Sequence, residues 1–197
     1  MGNLMPSSLQ DYVTLVTGLP RSGTSMMMRM LEAGGIELLT DQIRKSDVDN
    51  PRGYYEFEPV KKTKNDPAWL NGAHGKAVKM VYRLLYDLPA GHQYRVLFMQ
   101  RRFSEVHASQ NTMLRRTKKD LDPLDEARFN ELFTKELNRV TGWLKDQPNF
   151  TTIDVDYNRI LEDPEPQVMA VNRFLGAALD TNAMIRIVDP MLYRQRR

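Results

Sequence analysis

The stretch Val13-Thr-Leu-Val-Thr-Gly-Leu-Pro-Arg-Ser-Gly-Thr-Ser-Met26 decides the fold of this chain. Its first part, taken with Tyr12, runs apolar and β-branched to Thr17 and predicts a short buried strand. Gly18 to Gly23 predicts a loop, and a helix opens at Thr24. Met26, Met27, Met30, Leu31 and Gly34 recur at helical spacing, which gives one apolar face. Gly34-Gly35 stops that helix. A glycine loop between strand and helix aims several backbone N–H groups at one spot. The positive end of the helix adds to the field there, so the geometry suits a phosphate or a sulfate.

The loop is nearly a Walker A motif. Gly18-x-x-x-x-Gly23 has the spacing, but Thr24-Ser25 stands where Lys-Ser/Thr is required. The lysine that reaches a terminal phosphate is missing. Arg21, inside the loop, brings a cation from a different side. This argues against an ordinary ATPase or GTPase.

Pro20-Arg-Ser-Gly-Thr-Ser25 resembles the 5′-phosphosulfate loop of the sulfotransferases, whose pattern is Pro-Lys/Arg-Ser-Gly-Thr-Thr/Ser. That family takes 3′-phosphoadenosine 5′-phosphosulfate (PAPS) as sulfuryl donor. The resemblance spans most of residues 12 to 194, with gaps, and is to the short bacterial type. It implies a single-domain, P-loop-NTPase-like, three-layer α/β/α fold over 1–197 with a mostly parallel sheet.

Composition sets the outer bounds. The chain has 197 residues, 41% hydrophobic and 27% charged, as in a globular protein with a substantial core. A net charge of +3 is too small for a bulk polyanion binder, so no nucleic-acid partner is expected. With no cysteine, disulfides and thiolate chemistry are excluded. No apolar run approaches the ~20 residues of a membrane span. Residues 1–10 are polar, lack a signal-peptide core and are expected to be flexible. Pro6 breaks the myristoylation pattern. A cytoplasmic location is the expectation.

Beyond the first helix, Ile36 to Asn71 is charged and broken by Pro51, Gly53, Pro59 and Pro67. Residues 36–75 therefore form a candidate substrate-side insertion. Further strands are predicted at Ala77–Tyr82, Tyr94–Gln100 and Phe150–Val155. A helix is predicted over Ser104–Thr117 with Ser104 as its cap. Another follows Asp122-Pro123, with Leu132, Phe133, Leu137, Val140 and Leu144 on one face. A last one starts at Asp163-Pro164 and carries Val168, Val171 and Leu175 inside, with Gly176 near its end. Strands alternating with helices predict an α/β domain with a mostly parallel sheet. Ligands in such sheets bind at the carboxyl ends of strands, where Gly18–Ser25 and Arg101 both fall. Walker-type NTPases usually close such a strand with an aspartate for Mg²⁺. Here Tyr94–Gln100 runs into Arg101-Arg102, which suits an anion, and no metal is expected.

The resemblance adds roles to particular residues. It implies that Arg21, Ser22, Gly23, Thr24 and Ser25 hold the 5′ end of the donor. A second family motif pairs a strand-end arginine with a serine eight residues on to bind the 3′-phosphate; Arg101 and Ser109 keep that spacing, while Phe103 replaces the motif's proline. Tyr157 matches a tyrosine near the nucleotide, or is a core tyrosine. Larger relatives carry a Lys-x-His triplet at the second strand; here Lys79-Met80-Val81 keeps the lysine, which can meet the bridging oxygen, and loses the histidine base. His74, His92 and His107 sit in other contexts. Trp69 and Trp143 read as packing residues, with Trp69 also placed to line an acceptor pocket. The terminal Arg-Lys-Gly motif of larger relatives is absent, and Arg194, Arg196 or Arg197 stands in for it or is solvated. For the base, Glu56 is the first choice, Glu58 the second, with Asp41, Asp47 and Asp49 outside. The expected activity is sulfuryl transfer from PAPS to a hydroxyl or amine of a small-molecule or glycan acceptor. Catalysis would fall to Glu56, Arg21 and Lys79. A P-loop small-molecule kinase and a non-catalytic nucleotide-binding module are the alternatives. The sequence sets neither the acceptor nor the oligomeric state.

Overall fold

The computed structural model describes residues 9–41, 53–116, 125–176 and 179–189. Five strands, β1 (Val13–Gly18), β2 (Leu38–Leu39), β3 (Ala77–Lys79), β4 (Tyr94–Gln100) and β5 (Phe150–Asp156), form one sheet in the order β2-β3-β1-β4-β5. Every pairing is parallel. The helices are α1 (Thr24–Ala33), α2 (Phe103–Arg116), α3 (Glu126–Lys145), α4 (Tyr157–Glu162), α5 (Pro164–Leu175) and α6 (Thr181–Arg186).

All residues of β1 are buried, as expected of a central parallel strand covered on both faces. Its side chains alternate between two cores. Val13 and Leu15 join Val78, Val96 and Phe98 beneath Phe129, Val140 and Leu144 of α3. Val16 joins Leu97 and Met99 under Met27, Met30 and Leu31 of α1, Val168 and Val171 of α5, and Met184 of α6. Helices on both faces make three layers. Each fully buried Leu or Met of α1 contributes roughly 1.5–3 kcal/mol. Local chemistry sets the helix ends. The Asp125 carboxylate accepts the Arg128 N–H at 2.8 Å and caps α3. Pro164 starts α5, and Gly176, at φ 58°, ends it.

The chain leaves β1 for β2 and β3 on one side, then crosses to β4 on the other. That reversal opens a crevice at the carboxyl ends of β1 and β4, where Gly18 pairs with Met99.

Several boundaries differ from expectation. β3 ends at Lys79, because a 3-10 segment, Tyr82–Asp87, takes over and leaves Val81 exposed. The charged, proline-broken stretch from Ile36 to Asn71, read as an insertion, holds β2, which extends the sheet beside β3. Helix α2 starts at Phe103, so Ser104 lies within its first turn and does not cap it. On α3, Leu132 is exposed while Phe129 is buried. Helix α6 was not anticipated. Asp122 and Pro123 lie outside the described residues. No helix among the described residues is long and apolar enough to cross a membrane.

Candidate functional site

The loop after β1 is closely packed. Gly23, at φ 94°, caps α1 without any side-chain hydrogen bond. A Cβ there would come within 2.2 Å of the Tyr157 ring, so only glycine fits. At Gly18 a Cβ would meet both the Met99 carbonyl and Ser22 Oγ at 2.6 Å. The Ser22 side chain thus lies inside the loop. It is buried, and its Oγ has no hydrogen-bond partner among the described residues. A buried hydroxyl left unmatched is uncommon and calls for a ligand or an ordered water.

Arg21 has the left-handed backbone, φ 72°, that arginine seldom adopts. Two contacts hold it. Its Nε donates to Ser109 Oγ on α2 at 2.9 Å, and its carbonyl accepts from Arg101 Nη1 at 2.8 Å. Arg101, just past β4, lies over the Tyr157 ring at 4.6 Å. Its Nε donates to Glu105 Oε2 at 2.9 Å. Glu105 is fully buried; its other oxygen accepts from Asn158 Nδ2 at 2.8 Å, and Asn158 Oδ1 accepts the Arg102 N–H at 3.2 Å. Burial pushes the Tyr157 phenol up, with Glu105 acting the same way and the guanidinium charges of Arg101 and Arg21 opposing. The structure therefore brings Arg21, Ser22, Gly23, Arg101, Ser109 and Tyr157 together, from three stretches far apart in sequence. Their cations and hydroxyls, at the start of a helix, suit an anion.

On the other flank, Ser25 Oγ donates to the Tyr54 carbonyl at 3.2 Å. Lys79 Nζ donates to the same carbonyl and lies 3.4 Å from Ser25 Oγ. This links β3 and the start of α1 to the segment that carries Glu56. The Glu56 carbonyl accepts from the Asp41 N–H and from Thr40 Oγ1, both at 3.1 Å. Glu58 is engaged otherwise: its carboxylate pairs with Lys61, and its N–H donates to Asp41 Oδ2 at 2.5 Å. Thr24 is the first residue of α1. Asp47, Asp49 and Arg194 lie outside the described residues.

The remaining candidates sit elsewhere. His74 and His92 face each other at 3.1 Å beside the starts of β3 and β4, at the amino-terminal end of the strands and away from the loop. His107 packs on Phe129 and lies 3.1 Å from Asn111. Trp143 stacks between Tyr86 and Phe150. Trp69 donates to Thr63 Oγ1 at 3.0 Å and lines a surface hollow with Glu58, Pro59, Lys62 and Asp66. No group of three or more His, Cys, Asp or Glu among the described residues could hold a metal ion. Sequence reasoning missed Glu105 and Asn158. The available signal was an acid one helical turn after the strand-end arginine.

No family model matches the chain. No curated protein matches it either. Among solved structures, the architecture is that of sulfotransferase domains. The sulfotransferase domain of the olefin synthase from Synechococcus PCC 7002 overlays with a TM-score of 0.58 at 15% identity, covering 97% of this chain and 90% of that one. The sulfotransferase domain from the curacin biosynthetic pathway overlays at 0.54 and 16% identity, covering 93% and 79%. A mouse sulfotransferase, SULT7A1, complexed with PAP, overlays more loosely, at 0.48 with 21% identity, 91% of this chain and 63% of that one. That last overlay carries no argument. At such identities the first two establish the fold alone. They also correct one expectation: the three-layer α/β/α arrangement with its parallel sheet is a sulfotransferase fold and not a P-loop NTPase fold. Two departures from the NTPase pattern agree with this. The loop has Thr24 where the phosphate-reaching lysine belongs, and β4 runs into Arg101 in place of an acid.

Proposed function

We propose that this chain is a PAPS-dependent sulfotransferase acting on a hydroxyl or amine of a small-molecule or glycan acceptor and releasing adenosine 3′,5′-bisphosphate. The observation that carries the reading is the meeting of Arg21, Arg101 and Ser109 around a loop whose buried Ser22 hydroxyl has no hydrogen-bond partner among the described residues. The fold agrees with it. When bound, the donor supplies an activated sulfuryl group whose S–O bond to the 5′-phosphate breaks as a new S–O bond to an acceptor hydroxyl, or S–N bond to an acceptor amine, forms and the acceptor gives up its proton.

The residues divide the work. Loop N–H groups, Ser22, Thr24, Ser25 and Arg21 hold the 5′ end and offset charge developing on the leaving phosphate. Arg101 and Ser109 hold the 3′-phosphate, and Tyr157 supports both the loop and the Arg101 guanidinium. Lys79, anchored at Ser25, approaches the bridging oxygen. Glu56 takes the acceptor proton. Arg194 adds a cation from the tail.

Thermal shift tests the donor site. Adenosine 3′,5′-bisphosphate is expected to raise the melting temperature more than ATP does. Equal shifts would favour a kinase. Transfer from labelled PAPS in a screen of acceptors is expected to persist in excess EDTA. Abolition by EDTA and rescue by Mg²⁺ would instead count for phosphoryl transfer.

A further inference from the structure

We infer that Glu105, held by Asn158, is the positioning residue that aims Arg101 at the 3′-phosphate, an inference that rests on the donor-site reading above. A guanidinium presents two edges. One edge of Arg101 includes Nε, and Glu105 Oε2 takes it at 2.9 Å. The Nη1 group is thereby directed toward the loop, where it reaches the Arg21 carbonyl at 2.8 Å. The ring of Tyr157 fixes the plane of the guanidinium from one face.

Glu105 is in turn fixed. Its side chain is 0% exposed, and that of Arg101 is 8% exposed. A carboxylate so deeply buried persists only with its charge and lone pairs matched. Arg101 matches one oxygen, and the Asn158 amide, at 2.8 Å, matches the other, with the Arg102 Nη1 group 3.7 Å from that second oxygen. Asn158 cannot turn over without cost, because its Oδ1 accepts the Arg102 N–H. The amide is thus tied to the backbone where β4 ends. The chain of contacts runs from Arg102 through Asn158 and Glu105 to Arg101. It transmits the position of the β4 terminus to the direction of one cation.

A buried ion pair of this kind could instead serve stability alone, so the test must read direction. In the ligand-free protein, the Arg101 Nε–H should give a narrow, slowly exchanging ¹⁵N signal, identified by its loss in Arg101→Lys. Glu105→Gln should broaden it, and Asn158→Ala should do so in part. An unchanged signal in both variants would overturn the inference, whatever the protein binds.

The second readout is selectivity. The preference for adenosine 3′,5′-bisphosphate over adenosine 5′-monophosphate should fall about tenfold or more in Glu105→Gln, with affinity for the monophosphate little changed. A general loss of structure would lower both affinities together and would count against aiming. If the wild-type protein shows no preference, the donor-site reading fails, and the arginine signal still decides whether Glu105 positions Arg101. Should Glu105→Gln not fold, Asn158→Ala carries both measurements.

Discussion

The two flanks of the crevice are built differently. On the β4 and β5 side, Arg101, Glu105, Asn158 and Tyr157 form a buried network, with Asn158 Nδ2 2.8 Å and Arg101 Nε 2.9 Å from the Glu105 carboxylate and the Arg101 guanidinium 4.6 Å from the Tyr157 ring. On the β2 and β3 side, residues 53–72 sink Val60 and Leu70 into the core beside Phe57 and Trp69, bind Ser25 and Lys79 through the Tyr54 carbonyl, and carry their Glu58–Lys61 ion pair at the surface. Exposed pairs contribute little to stability, whereas a buried ion pair broken on one side costs several kcal/mol. One flank is therefore rigid and tuned to fixed charge. The other packs apolar side chains and leaves its ion pair at the surface, so it is the lighter in buried charge.

Substitutions can break this contrast. The largest effect is expected at Gly23, where Ala would drive a Cβ to within 2.2 Å of Tyr157 and force a non-glycine residue to φ 94°. Gly23→Ala should destabilise the fold by about 2–4 kcal/mol, from strain plus overpacking, read as a lower urea midpoint. A stability near wild type would show that the rigid flank yields more than its packing implies.

On the lighter flank the expectation inverts: stability is indifferent and chemistry is not. Glu56→Gln should lower turnover about 10²-fold while bisphosphate affinity and melting temperature hold steady. Full activity would remove Glu56 as the base, and an equal loss in Glu58→Gln alone would move that role to Glu58.

Arg101→Ala should weaken adenosine 3′,5′-bisphosphate by roughly 10- to 100-fold and erase most of its advantage over ATP, measured by calorimetry. Retained preference would mean that the rigid flank serves packing and not recognition.

The smallest effect is expected at the amino-terminal end of the strands, beside the start of β4. Burial, and then the neighbouring His74, hold the His92 imidazole below its ordinary value of 6.5. The unfolded chain therefore binds that proton more readily than the folded one. The associated stability is present above about pH 6.5 and is lost as the pH falls below it. His92→Gln should flatten that part of the stability profile and leave ligand affinity unchanged. An altered affinity would show coupling across the sheet.

Legibility in the sequence followed the same contrast. β1, α1, β4, β5 and α5 were readable because each carries an apolar pattern long enough to show its period. β2, with two residues, and α6, with six, are too short to show one. β3 was read too long because Met80 is buried and Val81 is apolar, although the chain has already left the sheet there. At the site, Arg21 and Arg101 stand at a loop and a strand end, places that sequence can mark. Glu105 reaches Asn158 across 53 positions, and only the fold brings that pair together.

The ring of Tyr157 beneath Gly23 has a consequence for how this pocket comes into being. The ring begins α4, directly after β5, while the glycine precedes α1. No local segment holds both. The loop after β1 meets the Tyr157 ring only when β1 has paired with β4 and β4 with β5, so its native packing waits on the sheet. Long-range parallel pairings of this kind form slowly. A nucleotide bisphosphate that binds here would then act as a proofreader of folding, because it would grip chains whose sheet is complete and pass over those still lacking β5.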